Sequence, residues 1–206
     1  LLLSAASPGP AELAAARYAA GAGFKKISLF SRLPADPHLF QRLKAAGVSS
    51  FMFPFAAAGR KELERAAAGA AAGLLMTGVY TLQGGRPGPL VSALKAFSAA
   101  GVSGFTVFFP EGRENIKTDY AAALPLIRAA SAAGAYFLRV PLCVLPDRER
   151  SLDSLRGRAG DARESGGTAG AVKPKLCLHC RYLLSCPGPA RGYAEKFGLK
   201  GLRTLK

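Results

Sequence analysis

Three of the four cysteines in the chain lie close together near the C-terminus, as Cys177, Cys180 and Cys186 in the spacing C-x2-C-x5-C. A two-residue gap lets a tight turn direct two thiolates at one metal ion or cluster, and the third cysteine returns after one further turn of chain. Cys143, in the segment 141–146, would complete a four-sulfur site. Thiolates gathered in this way select zinc or an iron–sulfur cluster over hard cations.

Two other interpretations of the cysteines stay open at this point. They could be buried free thiols, or they could form two disulfides, for which three pairings exist. Cysteines two residues apart are poor disulfide partners for each other, so the spacing favours a metal or cluster site. His179 lies between Cys177 and Cys180 and is an alternative ligand, although its position favours contact with solvent or with the ligands themselves.

Composition bounds the class of protein. The 206 residues are 50% hydrophobic, which is enough for a substantial core. The net charge is +15, but it is spread along the chain and there is no tryptophan, so nucleic-acid binding is not predicted. No apolar run is long enough for a membrane-spanning helix. The few cysteines and their spacing fit a reducing cytoplasm.

A weak internal repeat organises the first 140 residues, in which an alanine-rich helical segment ends at a glycine and an apolar run follows at once. This happens five times, with the glycines at Gly23, Gly47, Gly73, Gly101 and Gly134. A glycine after a helix supplies a left-handed residue, and the run after it suits a strand buried on both faces. Helices between successive strands force parallel pairing. With residues 1–4 as a leading strand, the pattern predicts an α/β fold, a partial (β/α) TIM-type barrel of about six parallel strands.

Three regions follow from these patterns. We predict the partial barrel over residues 1–146 and a cysteine-rich module over residues 174–206. Between them, residues 147–173 are rich in Arg, Gly, Ser and Asp without an apolar period, which predicts a flexible linker.

Other residues offer weaker chemistry. The glycine pairs at 84–85 and 166–167 do not match a phosphate-binding fingerprint, and we interpret them as turns or linker. Glu111, Glu114 and Asp119 follow a predicted strand, at the end where barrel enzymes carry their active sites. No Ser–His–Asp or paired-carboxylate arrangement accompanies them, and the lysines at 25 and 26 precede a strand.

The chain resembles the radical S-adenosylmethionine superfamily, particularly members with a C-terminal cysteine module of the SPASM or twitch kind. The likeness lies in residues 23–51, which are similar to two βα units of that barrel, and in residues 141–146. It continues through the C-x2-C-x5-C tail to Tyr193 and Phe197. The resemblance implies that Cys143, Cys177, Cys180 and Cys186 ligate an auxiliary [4Fe–4S] cluster. Substrates in such families are often peptides, but the sequence identifies none.

Two features depart from that superfamily. Its catalytic C-x3-C-x2-C loop is absent from the sequence, and residues 4–8 stand where the family has Gly-Gly-Glu-Pro, with only Pro8 matching. We therefore expect this chain alone not to cleave S-adenosylmethionine. It is either a relative that lacks an N-terminal segment or a degenerate relative, and the loss of both motifs favours the second explanation.

Three functional hypotheses remain. The first is a truncated or degenerate radical S-adenosylmethionine-like protein whose auxiliary cluster serves electron transfer or substrate anchoring. The second is a non-catalytic βα scaffold that is stapled by zinc and binds a partner, since structural zinc uses the same spacing. The third, a barrel enzyme of the aldolase or isomerase type, lacks a suitable lysine or acid pair at the strand ends. In each case the open edges of a partial barrel invite pairing with another chain.

Overall fold

A computed structural model describes residues 1–83, 87–110, 113–146 and 171–205. Six parallel strands form one sheet in the order in which they occur in the sequence, and helices alternate with them. The elements are β1 Leu2–Ser4, α1 Pro10–Gly21, β2 Ser28–Phe30, α2 His38–Ala45, β3 Ser50–Pro54, α3 Arg60–Ala71, β4 Leu75–Thr81, α4 Pro87–Ala99, β5 Gly104–Phe108, α5 Tyr120–Ala132 and β6 Tyr136–Leu138, followed by a 3-10 helix Lys175–His179 and α6 Arg191–Phe197. The predicted α/β class is confirmed, and the strand order is consistent with a partial (β/α) barrel.

The five glycines of the repeat have the left-handed backbone that the sequence predicts. Their φ angles are positive, between 78° and 95°. At the end of α2, Gly47 N donates to Lys44 O at 3.0 Å and Val48 N donates to Leu43 O at 3.0 Å. This is the hydrogen-bonding pattern of a Schellman motif, which satisfies the last carbonyls of the helix and turns the chain into β3.

The residues divide into two compact units, of which the first comprises Leu1–Tyr80 and Pro89–Thr106. Alternate residues of β3 fill its core, because Phe51 packs edge-on against Phe40 at 5.2 Å between ring centroids and Phe53 packs against Phe97 at 5.4 Å. On α1, Leu13 and Ala16 are buried, whereas Tyr18 is 82% exposed.

The second unit comprises Thr81–Gly88 and Val107–Lys206. Its core contains Phe109, Tyr120 and Tyr193, and an antiparallel bridge pairs Ala171 with Ala190 at the base of the cysteine segment. Most of the predicted linker, residues 147–170, lies outside the described part of the chain. No described helix is long and apolar enough to cross a membrane.

Candidate metal centre

The four cysteines come from two separate stretches of the second unit. Cys143 lies in the turn after β6, where it is buried. Cys177 belongs to the 3-10 helix, Cys180 follows that helix directly, and Cys186 lies after the next turn of chain. All four cysteines are free thiols in the structure. The structure therefore does not contain the two disulfides that the spacing had left open as one interpretation.

Short backbone hydrogen bonds fold the C-x2-C-x5-C segment. Cys180 N donates to Cys177 O at 3.0 Å, which closes the two-residue turn between these cysteines. Leu183 N donates to Cys180 O at 3.0 Å, and Cys186 N donates to Tyr182 O at 2.8 Å. Successive tight turns therefore bring the third cysteine back toward the first two, as the spacing predicts.

All four cysteines line one small cavity that opens to solvent. The other lining residues include Lys173, Leu183, Gly188, Leu202 and Arg203. His179 is exposed and does not line the cavity. Cys143 is far from the other three cysteines in the sequence, and only the tertiary structure brings it to the same cavity.

The cavity does not have the arrangement of a completed single-ion site. Within residues 1–83, 87–110, 113–146 and 171–205, no three side chains of His, Cys, Asp or Glu are placed so that they could hold one metal ion. The chemistry of the donors nevertheless fits a thiolate-bound metal or cluster, because four thiols and no carboxylate line the cavity.

Two backbone N–H groups point at the sulfur of Cys186. The backbone N–H groups of Leu142 and Gly188 both donate to Cys186 Sγ, at 3.3 and 3.4 Å. N–H donors to ligand sulfurs stabilise a thiolate and tune the metal that it binds. Gly188 has φ +80°, and a Cβ there would overlap the carbonyl oxygen of Val172, so this close approach of two backbones requires glycine.

Two basic side chains line the same cavity. Lys173 Nζ donates to the carbonyls of Leu183, at 2.9 Å, and of Cys186. Arg203 Nε donates to the carbonyl of Cys143 at 3.1 Å. Their positive charges would offset the negative charge that four thiolates place in a partly buried site. Their hydrogen bonds also connect both cysteine stretches to the surrounding chain.

Two of the four thiols, Cys143 and Cys177, resist ionisation in the absence of a metal. Burial raises the pKa of Cys143, the hydrogen bond from Arg203 lowers it, and the charges of the other cysteines raise it again. Burial also raises the pKa of Cys177, with Cys186 acting in the same direction and Lys173 against it. A bound metal would supply the charge that favours the thiolates, because a coordinating thiol is deprotonated.

An aromatic stack joins α5 and α6 in the core of the second unit. The rings of Tyr120 and Tyr193 stack with centroids 4.0 Å apart, and Phe109 lies 4.5 Å from Tyr120. The Tyr193 hydroxyl accepts a hydrogen bond from Tyr120 N at 3.0 Å and donates to the carbonyl of Lys200. The Tyr120 hydroxyl is buried and has no hydrogen-bond partner among the described residues.

The other described candidates, Asp119 and Glu114, do not line this cavity. Asp119 caps α5, accepting from Ala122 N at 2.9 Å, and pairs with Lys200 at 2.6 Å. Glu114 accepts a surface hydrogen bond from Asn115. Glu111 and the predicted glycine turns at 84–85 and 166–167 lie outside the described residues. Lys173 and Arg203 were not identified from the sequence, because nothing in their local spacing relates them to the cysteines.

Comparison with known proteins does not add a relative. No protein-family model matches the sequence, and no curated protein matches it significantly. A functional assignment therefore depends on the cysteine site and on the resemblance of its residues.

Proposed function

We propose that Cys143, Cys177, Cys180 and Cys186 hold an auxiliary [4Fe–4S] cluster in a radical S-adenosylmethionine-like protein that cannot by itself cleave S-adenosylmethionine. The observation that carries the proposal is that all four cysteines of the chain, from two distant stretches, line one cavity. Four free thiols without a metal would have no reason to collect there, since each is better accommodated separately in an apolar core.

The surroundings of the cavity support a bound group of negative net charge. Four thiolates around a cluster leave negative charge in the site, and Lys173 and Arg203 lie where they offset it. The N–H groups that point at Cys186 Sγ supply further stabilisation. When bound, a cluster with four cysteine ligands would supply one-electron chemistry. The protein contributes the ligands, their hydrogen bonds and the partial exclusion of water.

The test is anaerobic reconstitution of the full chain with iron and sulfide. We expect about four irons per chain, from the cluster type, and a broad charge-transfer absorption. Both should be lost in Cys180→Ala and in Cys143→Ala. His179→Ala is the matched control, because His179 lies inside the C-x2-C turn but outside the cavity lining, and it should take up iron normally.

The outcomes separate the hypotheses. Equal iron uptake by Cys180→Ala would overturn the ligand assignment. One zinc per chain without charge-transfer absorption would instead favour the zinc-stapled scaffold that binds a partner. Cys143→Ala is the stronger test of the two variants, because Cys143 lies outside the local C-x2-C-x5-C segment. A loss of iron binding in this variant cannot be explained by that segment alone.

We also infer that the protein works in a reducing compartment such as the cytoplasm. Four thiols that all remain free and line one cavity support this inference, because an oxidising compartment would favour their pairing as disulfides. The test is to isolate the protein under native conditions, remove any metal and count the reactive thiols. Four reactive thiols would support the inference.

The open edge of the sheet supports a further proposal of self-association. Among the described strands β1 has a single neighbour, β2, and its Leu2 is 61% exposed. Edge strands of this kind pair readily with another chain. Light scattering over a concentration series should detect a dimer, and Leu2→Lys should shift the protein toward monomer. A concentration-independent monomer would contradict the proposal.

A further inference from the structure

The last described residues, 200–205, form a strap that reaches both cysteine stretches. Arg203 Nε donates to the carbonyl of Cys143 at 3.1 Å, so the strap contacts the first stretch directly. Thr204 Oγ1 donates to the carbonyl of Leu176 at 2.9 Å, in the 3-10 helix of the second stretch. Arg203 also lines the cavity together with the four cysteines. The strap therefore connects two ligand stretches that are distant in the sequence.

The base of the strap is fixed on α5 and α6. Lys200 pairs with Asp119, the N-cap of α5, at 2.6 Å, and its carbonyl accepts a hydrogen bond from the Tyr193 hydroxyl of α6. Gly201 has φ +79°, and a Cβ added to it would lie 2.7 Å from Ala121 N. The strap is thus packed closely against the first turn of α5, and its other end reaches the cysteines.

Two hydrogen bonds of the described structure join the Cys143 stretch to the rest of the site. One runs from Leu142 N to Cys186 Sγ at 3.3 Å, and sulfur is a weak hydrogen-bond acceptor. The other runs from the Arg203 guanidinium to the Cys143 carbonyl, and a charged donor makes a stronger bond. The other three cysteines are brought together by the turns of their own segment. Arg203 therefore makes the stronger of the two bonds that hold Cys143 at the cavity.

We propose that the strap is a latch that holds Cys143 in place as the fourth ligand of the metal centre, with Arg203 as its positioning residue. This inference rests on the proposed function for the identity of the bound group. With the strap in place, four thiols line the cavity. When it is released, the C-x2-C-x5-C segment offers three ligands and leaves one coordination position without a cysteine, which is the difference between a closed and an open site.

The test compares two substitutions of Arg203 that both remove its charge. Glutamine carries an amide nitrogen at the place that Nε occupies along the arginine side chain, so Arg203→Gln keeps a donor for the Cys143 carbonyl. Arg203→Met has a methyl group there and cannot donate. In the metal-free full chain, the alkylation rate of Cys143, read by peptide mass spectrometry, should rise about tenfold in Arg203→Met because one hydrogen bond is lost. In Arg203→Gln it should stay within about twofold of the wild-type rate.

The loaded protein gives a second measurement on the same variants. Release of the bound metal to a chelator should be about tenfold faster in Arg203→Met and normal in Arg203→Gln. Equal acceleration in both variants would show that Arg203 acts through its charge, and unchanged rates in both would show that it does not hold Cys143. Either result would overturn the inference. Arg181→Met is the control for charge, because Arg181 lies in the cysteine segment but outside the cavity lining, and it should match the wild type.

A substitution at the base of the strap tests the latch from a distance. Gly201→Ala should displace the strap from α5 and raise the alkylation rate of Cys143, although Gly201 does not line the cavity. Gly198→Ala is its matched control, because Gly198 also has a positive φ, +60°, and nothing lies within 4 Å of its added Cβ in the described structure. Equal Cys143 rates in the two variants would mean that the strap does not position Cys143.

The proposed function and the inference fail distinguishably. A wild-type protein that binds neither iron nor zinc overturns the proposed function, and with it the role of Cys143 as a ligand. A wild type that binds metal while Arg203→Met reacts and releases metal at the same rates overturns the inference alone. The alkylation measurement needs no metal, and the release measurement works with either iron or zinc.

Discussion

Replacing Gly188 by alanine should destabilise the cysteine module far more than an ordinary glycine substitution does. Gly188 has φ +80°, and a Cβ added to it would overlap the carbonyl oxygen of Val172 and lie 3.4 Å from its carbonyl carbon. Gly23, after α1, has φ +89° and nothing within 4 Å of an added Cβ in the described structure. The two positions therefore share the unfavourable backbone angle and differ in the space around it.

The magnitudes follow from that difference. The left-handed backbone costs an alanine about 1–2 kcal/mol at either position. At Gly23 this cost is partly offset by the smaller conformational entropy of the unfolded chain, about 0.4–1 kcal/mol, so Gly23→Ala should cost about 1 kcal/mol. At Gly188 the steric overlap adds about 1–3 kcal/mol. Displacement of its N–H from Cys186 Sγ adds about 0.5 kcal/mol more. Gly188→Ala should thus cost about 2–5 kcal/mol.

Urea denaturation of the metal-free full chain measures both losses. Because the second unit contains Gly188, a probe in that unit, such as the fluorescence of its tyrosines, should report the larger change. Metal retention against a chelator should fall in Gly188→Ala and stay normal in Gly23→Ala. Equal free-energy losses for the two variants would refute the reasoning, since they would show that the Val172 carbonyl does not constrain this position.

Three further predictions concern other contacts. The ion pair with Lys200 holds the pKa of Asp119 below its usual range. Asp119→Asn should therefore cost about 0.5–1 kcal/mol of unfolding free energy at pH 7, a small amount because Lys200 is 63% exposed. In denaturation curves, the difference between wild type and variant should be complete above about pH 4 and should vanish as the pH falls through the folded pKa of Asp119. Lys173→Met should weaken metal retention in chelator competition by about tenfold, and unchanged retention would exclude a charge-compensating role. Phe40→Ala should cost about 3–5 kcal/mol in unfolding and Tyr18→Ala less than about 0.5, because Phe40 is 0% exposed and Tyr18 is 82% exposed; similar losses would contradict this reasoning.

Much of the fold follows from local sequence signals. The glycines after the helices, such as Gly47, dictate where each helix stops, because only glycine adopts the positive φ of a Schellman motif without strain. The apolar run that follows each glycine specifies a strand, and the intervening helix specifies parallel pairing. The C-x2-C-x5-C turns are equally local, since each of their hydrogen bonds joins residues three or four positions apart.

Only the tertiary structure decided which distant residues meet. Cys143 lies in the turn after β6, and its place beside the other cysteines depends on how the chain returns after residues 147–170. Tyr120, on α5, stacks on Tyr193, 73 residues later, and such a pairing leaves no periodic trace in the sequence. Asp119 was a candidate acid because it follows a strand, yet the folded chain uses it as the N-cap of α5 and as the partner of Lys200. Local propensity fixes where elements begin and end, whereas burial and charge compensation depend on which surfaces pack together.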